Sequence, residues 1–426
     1  MSGPSRPGGL ADDLSAPPPY AQPGKGAEHR YSLADRHQEQ WGVLTLTSAA
    51  RSARSTPLYY EDDSVQGTFE MEADRSDSIR SVTVTVSGSV VTGPMVDDTS
   101  VFLSMSNCLW SRKSSSLRVG HCMWPFSIAL PSAVNVASYG GSSTFALPET
   151  FMERHTRVSV VYEVSVIVSR GLFRADNTFK TRFRYVPCTL PDPPSVLRQR
   201  AYAENTTLSG PRDDPAGWKT PVTAMAHGHV FKTRQAVVQC TFSLAVPLCY
   251  TRGSVIPCWI MLESGDLQAL DLFADPGALS VRLRRRVRYQ ATALVTMQSP
   301  DSTQSVLDVA SAVWWPQPTH DSTQYTRTLE GEIRLPADLM SSAEMATAQF
   351  SISYTVDVFP STCVGFTPSG DATLMSLPVN IVTMHSPNAP RPVIYAPPTY
   401  DNVAAQTEHN NDVGVFAQVM NSRRLV

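Results

Sequence analysis

Apolar and polar residues alternate with period two along much of this chain, the spacing that sends successive side chains to opposite faces of a strand. Val82, Val84 and Val86 alternate with Thr83 and Thr85. Val160, Tyr162, Val164 and Val166 alternate with Ser159, Val161, Glu163 and Ser165, and Phe350, Ile352, Tyr354, Val356 and Val358 alternate with Ser351, Ser353, Thr355 and Asp357. Val238, Cys240, Phe242, Leu244 and Val246 make a further row of this kind. Each row predicts a strand with one wet face. No long apolar stripe at helical spacing occurs, and Gly, Pro, Asn and Ser clusters separate the short β-rich runs, so the pattern predicts an all-β fold of antiparallel, immunoglobulin-like sandwiches.

The alternation is confined to the middle of the chain. Residues 1–56 are rich in Pro, Gly, Ser and Ala and predict a disordered N-terminal tail, because such a segment buries too little surface to offset its chain entropy. Residues 385–426 predict a second such tail. The stretch 187–221, broken by prolines, glycines and charges, reads as a linker, which leaves sandwiches over 57–186 and 222–384, each of a typical domain size. The halves share a local theme. Leu147-Pro148 precedes one strand centred on Tyr162, and Leu335-Pro336 precedes another centred on Tyr354, with the tyrosine 14 and 18 positions after the proline.

Composition narrows the function classes. A chain of 426 residues suits about two domains plus tails. The apolar fraction of 42% against 17% charged gives it enough to bury. A net charge of −3 argues against nucleic acid as the partner, since phosphate binding needs a concentrated basic excess. Seven cysteines without paired spacing predict reduced, mostly buried thiols and a cytoplasmic protein, and no apolar run is long enough to span a bilayer. The opening residues carry no signal-peptide pattern, so the Asn205-Thr206-Thr207 triplet reads as ordinary loop.

The segment Gly120-His121-Cys122-Met123-Trp124-Pro125-Phe126-Ser127-Ile128-Ala129-Leu130-Pro131 brackets a short extended run between two prolines, which confine φ and remove ladder donors. Phe126, Ile128 and Leu130 are its core face, and His121 and Trp124 share that packing role. This segment, followed by the strand around Tyr162, resembles the N-terminal domain of arrestins. The stretches from Val246 to Ile260 and from Leu329 to Leu339, followed by Phe350 to Val358, resemble an arrestin C-terminal domain. With the tail motifs below, the chain resembles the fungal α-arrestins over roughly residues 57–384. The resemblance implies two tandem arrestin-type sandwiches joined by a hinge.

Pro17-Pro18-Pro19-Tyr20 and Pro397-Pro398-Thr399-Tyr400 are both PPxY sequences. Consecutive prolines pre-set a polyproline II helix, so such a segment docks on an aromatic groove at small entropic cost, and the tyrosine adds direction. The resemblance implies that Pro17, Pro18, Tyr20, Pro397, Pro398 and Tyr400 engage WW domains of Nedd4-type ubiquitin ligases. A proline-rich tail also yields a PPxY by composition alone; two, one in each tail, offer a bivalent ligand to tandem WW domains.

Arg282, Arg284, Arg286 and Arg288 alternate with Leu283, Val287 and Tyr289, which puts four guanidiniums on one strand face. That face is a candidate for binding acidic or phosphorylated tails of membrane proteins, or anionic lipid. The alternative is a solvated face that discourages edge pairing. Of the 35 basic residues only Lys25, Lys113, Lys180, Lys219 and Lys232 are lysines. Lys219 in the linker and Lys25 in the tail are therefore the candidate ubiquitin acceptors.

Catalytic signatures are missing: no nucleophile elbow, P-loop or dinucleotide fingerprint occurs, and His227 with His229 lacks further zinc ligands. The expectation is a non-enzymatic adaptor without cofactor or metal, cytoplasmic and recruited to plasma membrane or endosomes. Its partners would be a WW-domain ubiquitin ligase and the cytosolic tails of plasma-membrane transporters or receptors, with peripheral membrane contact and no nucleic acid. A ligase-independent scaffold in vesicle sorting or pH signalling is the alternative, and a carbohydrate-binding or catalytic β-sandwich a weaker third.

Overall fold

The computed structural model describes residues 26–34, 40–73, 79–93, 98–138, 141–154, 156–171, 175–221, 223–290, 302–317, 323–345, 350–361, 363–370 and 372–397. The fold is all-β, and its strands form large curled sheets, antiparallel except for two short parallel pairs. In the first half one sheet runs in the order Ala27–Ala34, Gln40–Ser48, Ser64–Ala73, Gly120–Ala129. A second runs in the order Leu58–Tyr60, Asn177–Val186, Ser159–Arg170, Ile79–Val91, Thr99–Ser111.

The alternation sets the register. Val82, Val84 and Val86 lie opposite Val168, Val166 and Val164 on the neighbouring strand, and all six are fully buried. Fully burying a valine side chain contributes roughly 1.5 kcal/mol or more. Leu44, Leu46, Phe69, Phe126 and Ile128 of the other sheet belong to the same core. The Gly120–Ala129 strand buries Cys122, Phe126 and Ile128, while Trp124 stacks on Phe69 with ring centres 6.0 Å apart. His121 departs from its expected packing role: it is exposed beside Glu70 and Glu72, because it falls on the outer parity of the strand.

In the second half the strands from Cys249–Thr251 to Phe366–Pro368 form one continuous ribbon of pairings. Two layers are joined by the long strand Ser302–Pro316, which pairs through Ser311 with Ser280–Gln290 and from Ala312 with Thr326–Arg334. Both halves repeat two features. A three-residue strand, Leu58–Tyr60 or Cys249–Thr251, pairs in parallel with a late strand, Asn177–Val186 or Met375–Val382. A buried tyrosine hydroxyl also closes a connection: Tyr162 donates to the Pro148 carbonyl at 2.7 Å, and Tyr354 to the Met340 carbonyl at 2.6 Å. Both spans are 14 residues, so the tyrosines align by acceptor although their distances from the Leu-Pro pair differ.

Two expectations need correction, one in each segment read as a tail, and two short α-helices among the described residues are added to the strands. Ala27–Ala34 and Gln40–Ser48 are strands inside the segment read as N-terminal tail, because Val43, Leu44 and Leu46 bury a face that the average composition concealed. His29 fastens this pair through its Nε2 at 2.8 Å from the Ser48 hydroxyl. The linker carries the helix Val196–Glu204, started by Ser195, whose hydroxyl accepts from the Arg198 N–H. A second short helix, Leu267–Phe273, is capped by Asp266 and buries Ala269, Leu270 and Phe273. Residues 385–397, read as tail, lie against the second half, with Ala396 buried by Val313 and Trp315. Two proline-rich segments were thus held in place by contacts distant in sequence, which composition does not encode.

Candidate functional site

Every arginine from 282 to 288 lies on the strand Ser280–Gln290, between Phe350–Phe359 and Ser302–Pro316. The parity is as expected: Leu283, Val287 and Tyr289 are buried, and Arg282, Arg284, Arg286 and Arg288 share the other face. On that face Arg282 and Arg284 both reach Asp308, at 2.9 and 2.7 Å, and Arg284 lies 3.5 Å from Asp357. Their guanidiniums also cover the Phe359 ring, at 5.3 and 4.7 Å from its centre. Burial alone would raise the Asp308 carboxyl, but the hydrogen bonds and charges of Arg284 and Arg282 outweigh it and hold the group below its usual value. Asp357 accepts in addition from Ser376 at 2.6 Å. Two of the four guanidiniums are therefore already neutralised, while Arg288 bonds Gln304 and Arg286 meets no carboxylate among the described residues.

The fifth arginine of the run points the other way. Arg285 sits on the buried face at 6% exposure and makes two bonds, of 2.5 and 2.6 Å, to Glu153 of the first half. Beside it, Glu149 is 6% exposed and accepts from the Ser341 N–H and hydroxyl and from Arg252. Phe151, between these two glutamates in sequence, packs on Phe350 with ring centres 5.4 Å apart. The Leu147 to Glu153 connection thus grips the second half through two acids and an aromatic ring. The signal lay in the sequence as an uninterrupted Arg284-Arg285-Arg286, in which strand parity forces one guanidinium inward and so demands a carboxylate.

A second grip holds the C-terminal segment. Arg198 of the linker helix donates to the Val246 and Gly217 carbonyls at 2.9 and 2.6 Å and lies 4.7 Å from the Trp218 ring centre. Tyr202, one turn on, stacks against Tyr395 at 6.4 Å. The Tyr395 N–H donates to Glu332 at 3.0 Å, which seats the neighbouring Ala396 beside the same strand. Glu332 is 2% exposed, and neighbouring Glu330 accepts from the Trp315 indole at 3.2 Å. Burial pushes both glutamates above the usual carboxyl value, against the pull of those hydrogen bonds. Trp218, Trp259, Trp315 and Tyr395 line the small cleft around them.

The other candidates fall apart from these clusters. Pro17, Pro18, Tyr20, Lys25, Pro398 and Tyr400 lie outside the described residues, whereas Pro397 is half-buried at the end of the C-terminal segment. Lys219 lies on the two-residue strand Trp218–Lys219, opposite Leu244, with its side chain exposed. Cys240 and Cys258 are buried, and burial pushes the Cys240 thiol up to about 12. Cys108 is exposed, and Cys188, Cys249 and Cys363 are partly buried. His227 and His229 are both exposed on the strand Ala224–Val230. Among the described residues no group of three or more His, Cys, Asp and Glu side chains could hold a metal ion, and no helix is long and apolar enough to cross a membrane. No model of a known protein family matches the chain, and no curated protein matches it.

Proposed function

We propose that this protein is an α-arrestin-like adaptor: its two PPxY sequences recruit a Nedd4-type ubiquitin ligase through WW domains, and its sandwiches hold the cytosolic segment of a membrane protein that the ligase then modifies for endocytosis. The observation that carries this reading is the placement of the motifs: one precedes the first described strand and the other begins at Pro397, beyond the last, Met375–Val382. The all-β architecture and the repeated tyrosine closures of the two halves agree with a tandem sandwich of that kind. The mechanism is proximity, and no bond is made by the chain itself. Because Arg282 and Arg284 are paired with Asp308, an acidic cargo segment would meet Arg286 and Arg288 first. Lys219 and Lys25 remain the acceptors proposed for modification of the adaptor itself.

The test is a calorimetric titration of two peptides, residues 12–23 and 391–403, into the WW domains of a Nedd4-type ligase. Micromolar binding that disappears with Tyr20→Ala or Tyr400→Ala is the expected result, of the order usual for short polyproline ligands. No binding by either peptide would leave a ligase-independent scaffold.

A further inference from the structure

The second PPxY sequence does not begin in open chain. Its first residue, Pro397, directly follows Tyr395 and Ala396, which are the two residues fixed to the second half. Their hold has three parts. Glu332, 2% exposed on the strand Thr326–Arg334, accepts from the Tyr395 N–H at 3.0 Å. The Tyr395 ring lies over Tyr202 of the linker helix. The Ala396 methyl group fits a site walled by Val313 and Trp315, where it is 8% exposed. A carboxylate buried to that degree needs its hydrogen-bond donors, so lifting the strap costs Glu332 the Tyr395 N–H.

A WW domain grips the prolines and the tyrosine of its ligand across an aromatic groove. Pro397 is the residue directly after Ala396, so a chain in polyproline II geometry gains only roughly 3 Å of lead before the motif begins. That is too short a lead to carry a folded domain clear of the surface on which Ala396 is seated. We propose that the second sandwich competes with WW domains for its own C-terminal motif: the strap held by Glu332 and Tyr202 must release before Pro397 to Tyr400 is gripped. The inference rests on the reading of the PPxY sequences as WW ligands and adds their regulation. The apparent affinity of the motif in the full chain is then its intrinsic affinity multiplied by the fraction of molecules with the strap lifted.

The experiment uses the full chain carrying Tyr20→Ala, so that only the C-terminal motif reports, and compares it with the free peptide 391–403 against the same WW domain. The expected result is an affinity about tenfold weaker in the chain, the signature of a strap released in a tenth of the molecules. Adding Ala396→Asp, which drives a charge against Trp315 beside Glu330 and Glu332, is expected to bring the chain to the affinity of the peptide carrying the same change. Amide hydrogen exchange supplies the second readout: the Tyr395 amide is expected to be protected in the Tyr20→Ala chain and to lose protection with Ala396→Asp or Glu332→Ala. A chain that binds as tightly as the peptide, or an unprotected Tyr395 amide, would overturn the competition. A peptide that binds no WW domain, with that amide still protected, would overturn the ligase reading and leave the strap itself established.

Discussion

Arg285 and Glu153, 132 residues apart in the chain, meet through two hydrogen bonds of 2.5 and 2.6 Å. The arginine belongs to the central strand of one half and the glutamate to a connection of the other, so this fork of bonds ties the halves together more directly than the intervening linker does.

Removing one member of that pair strands the other. Arg285 is 6% exposed, and breaking a buried pair typically costs about 3 kcal/mol, whereas replacing both members by apolar residues is much closer to neutral. Glu153→Ala should therefore lower the urea midpoint markedly, and Glu153→Leu with Arg285→Leu should recover most of the loss. Equal destabilisation by the single and double changes would refute the account.

Arg198 should resist even a conservative exchange. Its two nitrogens reach two different carbonyls while the flat guanidinium covers Trp218, and an ammonium group cannot reproduce that geometry. Both Arg198→Ala and Arg198→Lys should cost about 2 kcal/mol in chemical denaturation, since alanine leaves the Val246 carbonyl without its donor and lysine keeps at most one of the two bonds and loses the flat cover on Trp218. Full rescue by lysine would show that charge alone matters there.

The tyrosine closures make a matched pair of tests. Tyr162→Phe and Tyr354→Phe keep the packed rings but take the donor from the Pro148 and Met340 carbonyls. Each should lose about 1 kcal/mol or somewhat more, with no change of fold. A loss below a few tenths in either half would mean that water reaches the orphaned carbonyl.

Two kinds of carboxylate give stability opposite slopes with pH. Burial raises Glu330 and Glu332 above their ordinary 4.5. The folded state then binds more protons than the unfolded one, and stability falls as pH rises from that value through the raised one. Asp308, held below its ordinary 3.8 chiefly by Arg284 and Arg282 against the effect of burial, contributes stability that is present above 3.8 and lost as pH falls through its lower folded-state value. Urea midpoints across this range should lose part of the high-pH decline in Glu330→Gln and part of the acid decline in Asp308→Asn. Unchanged slopes in both variants would contradict these environments.

The proposed ligase recruitment is tested separately in the intact protein. Tyr20→Ala with Tyr400→Ala should abolish capture by tandem WW domains, while either change alone should weaken it through the loss of bivalency. Retained capture by the double variant would end the PPxY reading.

Much of the fold was legible because strand parity is a local rule. The inward rows of Val82 to Val86, Val160 to Val166 and Phe350 to Val358 are buried as predicted, whereas Val161, Ser165 and Asp357, expected on wet faces, are buried too. The arginine run also obeyed parity, which placed Arg282, Arg284, Arg286 and Arg288 on one face. Applied to Arg285, the same rule demands a buried cation, yet it names no partner. Glu153 supplies that partner across 132 residues, and nothing in the spacing between them encodes the meeting.

The sequence by itself determined the all-β class and the inward face of each central strand, since alternation, β-branching and proline position act within a few residues. Only the tertiary structure decided which composition-poor segments are held. Ala27–Ala34 and Gln40–Ser48 form strands because Leu44 and Leu46 find a sheet to cover. The linker helix stays in place because Arg198 finds two distant carbonyls, and Tyr395 and Ala396 are held because Glu332 accepts from the Tyr395 N–H and Val313 and Trp315 enclose Ala396. Such contacts arise only when the chain closes on itself, where a buried polar group must be satisfied by whatever the fold brings within reach.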